Sequence, residues 1–386
     1  MRRLGDKRPR VLHVIDTLAV GGTERSMVEI VRRLSLTEAA VVTLFGDEPL
    51  GAELRGAGVV VVNLGMPTRS LGRATAALER YIARTLPDVI HSHLFRADVV
   101  ARNALRFARI PLVNTFVNDS YGLVRWRASS LLPAVSLARV LLLDRATAPR
   151  VDVFTSNSGT VADSNATALG IDRRTVRVIH RGRDLVRFRA SSPSERARLR
   201  SELGWSDSRF FVVNVARLIS RKNQALLIDA LSKGDVPANV DLVLVGDGPD
   251  RSLLMAQARR LGVIDRVHFL GTRTDVPEIL CAADVFAFPS AYEGFPGALV
   301  EAMASQKPII ASDIPVHRET LGSGDGAIFV DGDANAWARA LRHLVSDSAL
   351  ASSLAERAFA ASSNYGIGAV AAAHDELYVE LAGRRR

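Results

Sequence analysis

The stretch DVFAFPSAYEGFPGALVEAM, residues 284–303, places an apolar run, a turn and the start of a helix in immediate succession. Its apolar part, VFAFP, is typical of a strand that is buried on both faces. Gly294, Pro296 and Gly297 favour a turn, since glycine permits close backbone approach and proline presets a first helical position. A strand that turns directly into a helix is the basic unit of a parallel sheet.

Similar apolar runs occur along the chain in two sets, with helical patterns between the runs. The first set comprises VLHVI at 11–15, AAVVTLF at 39–45, VVVVNL at 59–64, DVIHSHL at 88–94 and PLVNTF at 111–116. The second set comprises FFVVNVARL at 210–218, VDLVLVGD at 240–247, RVHFLG at 266–271, DVFAFPS at 284–290 and KPIIAS at 307–312. This alternation predicts an α/β protein with two parallel sheets. The charged segment between the sets, residues 181–204, fits a linker, so we expect a domain boundary near residue 185.

The composition is that of a globular protein from a reducing compartment. Hydrophobic residues make up 48% of the chain and charged residues 24%, as in soluble proteins. Cys281 is the only cysteine, which excludes an internal disulfide and favours a cytoplasmic location. No apolar run reaches the roughly 20 residues that a membrane span requires.

The positive charge is concentrated in the first half of the chain. Residues 1–184 contain 27 Lys+Arg against 17 Asp+Glu, a net +10, whereas residues 185–386 have 23 against 24. A basic half favours an anionic partner, such as a membrane surface, an acidic acceptor or nucleic acid, although an arginine-rich solvated surface explains it equally well. Aromatic residues are only 6% of the chain, which does not favour nucleic acid.

Two glutamates flank the turn of the opening stretch. The amides at a helix start attract anions, and a carboxylate beside a phosphate would be repelled. We therefore expect the turn to hold a phosphate, and Glu293 and Glu301 to face neutral hydroxyls such as those of a sugar. The alternative is an ordinary capped helix with glutamates on its surface.

The strand end NVARLISRKN, residues 214–223, adds two cations. The Arg217 guanidinium offers a rigid fork of donors and the Lys222 ammonium a compact charge, so together they could neutralise two phosphates. The GDGP segment after the next strand reads as a plain turn. Arg273 follows a further strand and lies at its end.

In order along the chain, Arg217-Leu-x-x-x-Lys222-Asn, LVGDGP, FLGTRTDVPEILCAADVFAFPS, Glu293-Gly-Phe-Pro-Gly-x-x-x-Glu301-Ala-Met and KPIIASD resemble the family-four retaining glycosyltransferases. GGTERSMVEIVRRL resembles the Gly-Gly loop and first helix of that family. The resemblance implies a GT-B fold, with two Rossmann-like domains facing each other across a cleft. Their bounds would be 1–185 and 186–364, with a last helix, roughly 365–386, crossing back to the first domain.

The resemblance also implies roles for single residues. Arg217 and Lys222 would bind the donor diphosphate and stabilise its departure, Glu293 would face the transferred sugar, and Glu301 would hold the ribose. The other implied donor contacts are first-domain glycines, a residue beside the base, and the turn backbone: Gly21, Gly22, Arg273, Gly294, Phe295, Gly297, Ala298 and Leu299. The family usually acts without a metal or another cofactor, so we expect none.

On the acceptor side the chain departs from the family pattern. Family members commonly carry a histidine in a Thr-x-His pattern after the fifth strand, and Val117 stands at that place here. Asn118 or Asp119 could offer a polar group instead, and His93, at the end of the preceding strand, could line the cleft. We retain His93, Asn118 and Asp119 as acceptor-side candidates.

The function that follows is transfer of a sugar from a nucleotide-diphosphate sugar to a lipid-linked, polysaccharide or small-molecule acceptor in cell-envelope or polysaccharide biosynthesis. The alternatives are a nucleotide-sugar epimerase or a phosphorylase of related fold, or a non-catalytic nucleotide- or nucleic-acid-binding protein. Residues 121–146 mix leucines with arginines. This segment either contacts an anionic membrane at its inner face or packs as a core helix pair.

Overall fold

The computed structural model describes residues 8–46, 48–67, 70–122, 131–322 and 325–384. Side chains are described for these ranges except 131–134. The chain divides into two compact units. The first unit contains residues 1–182 and 367–386, and the second unit is Arg183–Gly366.

The first unit is built on a seven-stranded sheet in which all neighbouring strands are parallel. Its strands are β1 Arg10–Ile15, β2 Glu38–Thr43, β3 Val60–Asn63, β4 Val89–His93, β5 Leu112–Phe116, β6 Val153–Ser156 and β7 Val176–Val178. Their order across the sheet is β3-β2-β1-β4-β5-β6-β7. The helices of this unit are Gly22–Val31, Gly51–Gly56, Leu71–Thr85, Phe95–Ala104, Leu131–Thr147, Gly159–Leu169 and Ile367–Arg384.

The second unit repeats this plan with a six-stranded parallel sheet. Its strands are β8 Phe210–Val215, β9 Val240–Val245, β10 Val267–Gly271, β11 Val285–Phe288, β12 Ile309–Ser312 and β13 Ile328–Val330, in the order β10-β9-β8-β11-β12-β13. Its helices are Pro193–Leu203, Gln224–Leu231, Arg251–Arg260, Val276–Ala282, Gly297–Ala304, Pro315–Thr320, Ala334–Ser346 and Ser348–Ser362.

The central strands are buried on both faces, as their apolar runs predicted. Every residue of β9 and β11 is buried, and the two faces of this sheet belong to separate hydrophobic clusters. The prediction of an α/β protein with two parallel sheets is therefore confirmed. In both sheets the strand order reverses beside the first strand, between β1 and β4 and between β8 and β11. Ligands of such sheets bind outside the carboxyl ends of the strands at this switch point.

The last helix, Ile367–Arg384, completes the first unit. Its residues Leu377, Tyr378 and Leu381 pack in one cluster with residues of β1, β4, β5 and β6. Next to them the buried Asp375 carboxylate accepts hydrogen bonds from the Ser35 and Leu36 amides, at 2.6 and 3.0 Å. A buried carboxylate that accepts hydrogen bonds from backbone amides of another segment fixes the position of this helix on the sheet.

None of the helices in the part of the chain that the structure describes has both the length and the apolar character needed to cross a membrane.

Removal of the Asp375 carboxylate tests this anchoring role. Asp375→Ala leaves the Ser35 and Leu36 amides and the Thr37 hydroxyl, which donates to Asp375 at 2.6 Å, without their acceptor. We expect the free energy of unfolding to fall by about 2–4 kcal/mol. Hydrogen-exchange mass spectrometry should show faster exchange in residues 367–384. Glu376→Ala changes an exposed neighbour and should leave both readouts unchanged; equal behaviour of the two variants would contradict the role.

Candidate functional site

The carboxyl ends of β8 and β11 bring two charged loops together in the second unit. These strands are neighbours at the switch point, with Val285 opposite Val212 and Phe286 opposite Val213. The loop after β8 carries Arg217 and a short 3₁₀ turn, Ser220–Lys222. Because parallel strands end at the same edge, this loop and the one after β11 must lie side by side.

The two loops are joined by direct contacts. The Lys222 ammonium forms an ion pair with the Glu293 carboxylate. The Ala291 amide donates to the Arg221 carbonyl at 2.9 Å. The Arg221 guanidinium lies 3.8 Å from the Glu293 carboxylate and 5.6 Å from the centre of the Tyr292 ring. Lys222 and Glu293, which sequence analysis assigned to one site, therefore meet in the structure.

Glu293 is largely buried, with only 7% of its surface exposed. A buried carboxylate requires a partner, and Lys222 supplies it. The Lys222 Nζ atom also lies 5.1 Å from the centre of the Phe288 ring. Burial lowers the pKa of the nearby His317 to about 4, so this imidazole is neutral at pH 7. The charged groups that meet at this edge are therefore the Glu293 carboxylate and the cations Lys222 and Arg221.

Arg217 is exposed, and its guanidinium has no hydrogen-bond or ion-pair partner among the residues that the structure describes. The backbone of its loop packs against the Gly-Asp-Gly turn after β9. The Leu218 amide donates to the Asp247 carbonyl at 3.0 Å, and a Cβ on Gly248 would lie 2.2 Å from the Leu218 carbonyl oxygen. Gly246 has φ +131° and an equally close approach, 2.1 Å, to the Ala216 carbonyl. This segment, interpreted from sequence as a plain turn, thus positions Arg217.

The turn between the two glutamates leads into helix Gly297–Ala304. Sequence analysis expected its amides to touch phosphate or sugar, but two of them already have partners. Gly297 N donates to the Phe295 carbonyl at 3.1 Å, and Leu299 N donates to the Pro296 carbonyl at 3.0 Å. The Ala298 amide has no partner among the described residues. Phe295 is buried, with its ring 5.4 Å from that of Tyr365, so its side chain contributes to the core. Gly294 is buried in the same turn.

Glu301 pairs with a residue that sequence analysis did not assign to the site. Arg183 Nε donates to its carboxylate at 2.8 Å. The same guanidinium covers the start of the helix, because a Cβ on Gly297 would lie 1.7 Å from Arg183 Nη2. Arg183 is 118 residues from Glu301 in the chain, and no local pattern links the two.

The predicted base-side residue, Arg273, lies at the edge of the second unit. It is exposed and forms a bidentate pair with Asp275, at 2.8 and 2.5 Å. The structure brings it to a strand end, after β10, as expected from the sequence. Its role toward a base stays a prediction.

The two glycines of the first loop precede helix Gly22–Val31 in the first unit. Gly21 has an extended backbone, φ −138°, and its carbonyl accepts from the Arg25 amide at 3.0 Å. A Cβ on Gly22 would lie 3.4 Å from Arg181 Nη1, so a cation lies at this helix start. The arrangement suits an anion, since a cation and helix amides then act from the same side.

The three acceptor-side candidates lie around the carboxyl ends of β4 and β5. His93 is buried and lines a small cavity together with Thr115 and Val117. Asn118 is exposed and lines a second cavity, of about 290 Å³, that shares those two residues. The Asp119 carboxylate accepts from the Ser164 hydroxyl at 2.6 Å and belongs to neither cavity lining. His93 and Asn118 thus remain acceptor-side candidates on neighbouring cavities.

One Asp-x-Asp pattern, the kind of element that can hold a divalent ion against a diphosphate, occurs at Asp331–Asp333. In the structure Asp333 caps helix Ala334–Ser346 by accepting from the Asn335 and Ala336 amides, at 3.0 and 3.2 Å. This capping role explains the Asp333 carboxylate without a metal.

Two sequence families match the chain, one in each half. The family described as Glycosyltransferase Family 4 matches residues 20–187, and the family described as Glycosyl transferases group 1 matches residues 195–361. The lipopolysaccharide core biosynthesis glycosyltransferase LpsE of Rhizobium meliloti is 35% identical over 38% of this chain and 42% of its own length. The D-inositol 3-phosphate glycosyltransferase of Nocardia farcinica is 30% identical over 71% of this chain and 62% of its own. The chain thus spans less than two thirds of either relative.

Among solved structures, HepE of Anabaena in complex with UDP is similar over the whole fold. The TM-score is 0.82 with 26% sequence identity, covering 96% of this chain and 100% of HepE. HepE has also been solved with UDP-glucose, at a TM-score of 0.80 to this chain. Agreement at this level places the chain in the same fold class.

The Gly-Asp-Gly turn packs so closely against the Arg217 loop that it leaves no room for a side chain at Gly248. Gly248→Ala introduces a methyl group that meets the Leu218 carbonyl at 2.2 Å, so either the turn or the Arg217 loop must shift. We expect a loss of about 1–3 kcal/mol in the free energy of unfolding and faster hydrogen exchange in residues 216–222. Gly234→Ala is the matched control, since nothing lies within 4 Å of the added methyl group. Unchanged exchange in Gly248→Ala would show that the turn does not position Arg217.

Proposed function

Because the chain belongs to glycosyltransferase family 4 and has the GT-B fold, we propose that it transfers a sugar from a nucleoside-diphosphate sugar to an acceptor hydroxyl, with retention of configuration. One observation supports this most strongly. Lys222 and Glu293 form an ion pair at the switch point of the second sheet, where such sheets bind nucleotides, and Arg217 lies in the same loop after β8 as Lys222.

The chemistry of this edge suits the departure of a diphosphate. As the bond to the sugar breaks, negative charge grows on the leaving phosphate, and fixed cations lower the barrier by stabilising that charge. Arg217 offers a guanidinium fork on a loop whose backbone packs against the Gly-Asp-Gly turn, and Lys222 offers an ammonium. These two cations and the Ala298 amide take the place of a divalent metal, so no metal or other cofactor is proposed for this step.

Glu293 and Glu301 have separate roles in the proposed reaction. Glu293 holds Lys222 before the donor binds, and its carboxylate oxygens can then accept hydrogen bonds from hydroxyl groups of the transferred sugar. Glu301, on the helix after the turn, faces the ribose, and its carboxylate forms an ion pair with Arg183 at 2.8 Å. An acceptor that attacks from the leaving-group side requires no enzyme nucleophile, so neither glutamate is assigned that task.

We propose UDP as the nucleotide and a cell-envelope glycan or glycolipid as the acceptor. HepE, 26% identical to this chain, has been solved with UDP and with UDP-glucose. LpsE is named for lipopolysaccharide core biosynthesis, which favours an acceptor of that class. A nucleotide-sugar epimerase and a non-catalytic binding protein are not favoured, because the relatives compared here are named as glycosyltransferases.

We also propose that the chain makes a peripheral contact with the inner face of a membrane. Helix Leu131–Thr147 exposes Val135, Leu142 and Leu143, with exposed fractions of 51%, 63% and 40%. These positions are spaced to share one helical face, and the exposed Arg139 and Arg145 lie on the same helix. Apolar side chains with flanking arginines suit the interface of an anionic bilayer. Residues 123–130 of the segment considered in sequence analysis lie outside the described residues.

Loss of either diphosphate cation should lower turnover. Thermal-shift screening with UDP-, GDP-, ADP- and TDP-sugars first identifies the donor, since a ligand that binds only the folded chain raises its stability. With that donor, Arg217→Ala and Lys222→Ala should each reduce turnover by about 100-fold or more. Arg342→Ala is the matched control, because this arginine is exposed and lies 3.8 Å from Asp235 in an ion pair on another helix. Turnover of both site variants within threefold of wild type would refute the proposed role.

Membrane contact can be measured separately by co-sedimentation with phosphatidylglycerol-containing vesicles. Leu142→Asp combined with Leu143→Asp should weaken vesicle binding by about tenfold or more, because two exposed apolar anchors become charged. Val379→Asp alters another exposed apolar residue of the same unit, 41% exposed, and should leave binding unchanged. If the wild-type chain does not sediment with anionic vesicles at low salt, the membrane contact is wrong, whatever the outcome for sugar transfer.

A further inference from the structure

The first unit buries an unusual group of imidazoles beside the switch point of its sheet. His13 on β1 and His91 on β4 are direct register partners, and His93 follows two residues later on the same face. The last helix contributes His374 and Tyr378, whose rings lie 5.8 and 5.7 Å from that of His91. Four of the eight histidines in the chain are therefore gathered in one place.

The ring nitrogens of three of these residues converge. His13 Nδ1 and His93 Nε2 are 3.2 Å apart, and one ligand atom from each of His13, His91 and His93 lies within 4.8 Å of the others. The ring centres of His91 and His93 are 4.1 Å apart. Two imidazoles on a tetrahedral zinc ion, with Zn–N bonds of about 2.0–2.1 Å, hold their nitrogens roughly 3.3 Å apart. His13 Nδ1 and His93 Nε2 form a hydrogen bond with each other, and their separation of 3.2 Å matches this spacing.

The group also contains polar atoms that nothing in the described part of the chain satisfies. His13 is 1% exposed and His374 is 6% exposed. His13 Nε2 and His374 Nδ1 have no hydrogen-bond partner among the described residues. A buried nitrogen without a partner is unfavourable, so the described protein groups do not satisfy all the ring nitrogens of this group.

We propose that His13, His91 and His93 form a binding site for a zinc ion, with the side facing His374 open for a fourth ligand. Imidazole nitrogens without a carboxylate are a ligand set that suits zinc among the common biological ions. A small cavity bordered by His93 and His374 gives the ion a route into the site. The site goes beyond the proposed sugar transfer, whose diphosphate cations and two glutamates lie in the second unit; as a zinc ligand, His93 would not be free to contact the acceptor.

The surroundings prepare the three histidines for this task. His13, His91 and His93 are all buried, with at most 7% of the surface of each residue exposed. His91 is oriented through both ring nitrogens, by Tyr378 and by Thr115, each at 2.6 Å. Hydroxyl groups that hold the second nitrogen of a ligand fix the ring and its tautomer. Zinc binding would replace one of these two hydrogen bonds of His91, and the other would continue to orient its ring.

An ion at this place would join β1 to β4 across the switch point. The two strands are neighbours through parallel backbone hydrogen bonds, and bonds from both strands to one ion add a side-chain link between them. Since the unfolded chain lacks a preformed site, binding energy adds directly to the stability of the first unit. The effect of zinc is therefore measurable as stability and stoichiometry, independently of transferase activity.

The test uses the full chain freed of metal by a chelator and then desalted. After addition of Zn²⁺ and a second desalting, elemental analysis should find one zinc per chain, and the melting temperature should rise. With Co²⁺ as a probe, the intense visible absorption of a tetrahedral site should appear. His13→Gln, His91→Gln and His93→Gln should each weaken Zn²⁺ binding by at least about tenfold, as expected for loss of one ligand.

His180→Gln is the matched control, since His180 lies in the same unit but outside the three-histidine group. It should bind zinc as the wild type does, and circular dichroism should show that all four variants are folded. Zinc retained equally by the wild type and the three site variants would place the ion elsewhere and overturn the site. Absence of both zinc retention and cobalt absorption in the folded wild-type chain would also overturn it. If a ligand variant does not fold, the wild type is titrated with Co²⁺ instead. The visible spectrum of the bound Co²⁺ then shows whether nitrogen atoms coordinate the ion tetrahedrally.

Discussion

The ion pair between Lys222 and Glu293 depends on one topological constraint, the adjacency of β8 and β11. The two residues are 71 positions apart in the chain, and only parallel neighbouring strands that end at one edge bring their loops into contact. The buried carboxylate then requires a cation, and the cation is drawn away from solvent. The geometry of the proposed diphosphate site therefore follows from strand order first and from side-chain chemistry second.

Much of this arrangement could be predicted from the sequence, for physical reasons. Strands buried on both faces produce continuous apolar runs, so the parallel sheets were visible without any contact information. The structure places Arg217, Lys222 and Glu293 in the loops after strands and Glu301 on the helix that follows, at the carboxyl edge where parallel sheets bind ligands; their roles stay predictions. The last helix also lies with the first unit, Ile367–Arg384 packing against β1 and β4, as the family resemblance implied.

What escaped prediction are contacts that depend on distant backbone positions. Gly246 and Gly248 look like any turn glycines, and only the structure shows the Ala216 and Leu218 carbonyls lying against them. Arg183 lies in a charged linker-like segment, where an arginine carries no signal of its pairing with Glu301. Sequence position likewise gave no reason to group His13 with His91, because their register became known only with the pairing of β1 and β4.

The two units reverse their strand order in the same way, but the side chains at the two switch points differ in charge. At the β8–β11 edge, fixed cations and carboxylates neutralise one another where a charged ligand is expected. At the β1–β4 edge the imidazoles are buried, and the ring nitrogens of His91 pair with two hydroxyl groups rather than with ions. Imidazole nitrogens in a buried site are ligands for a metal, whereas cations beside a carboxylate are partners for phosphate. The same backbone edge therefore selects its ligand through the charge of the side chains that the strands deliver there.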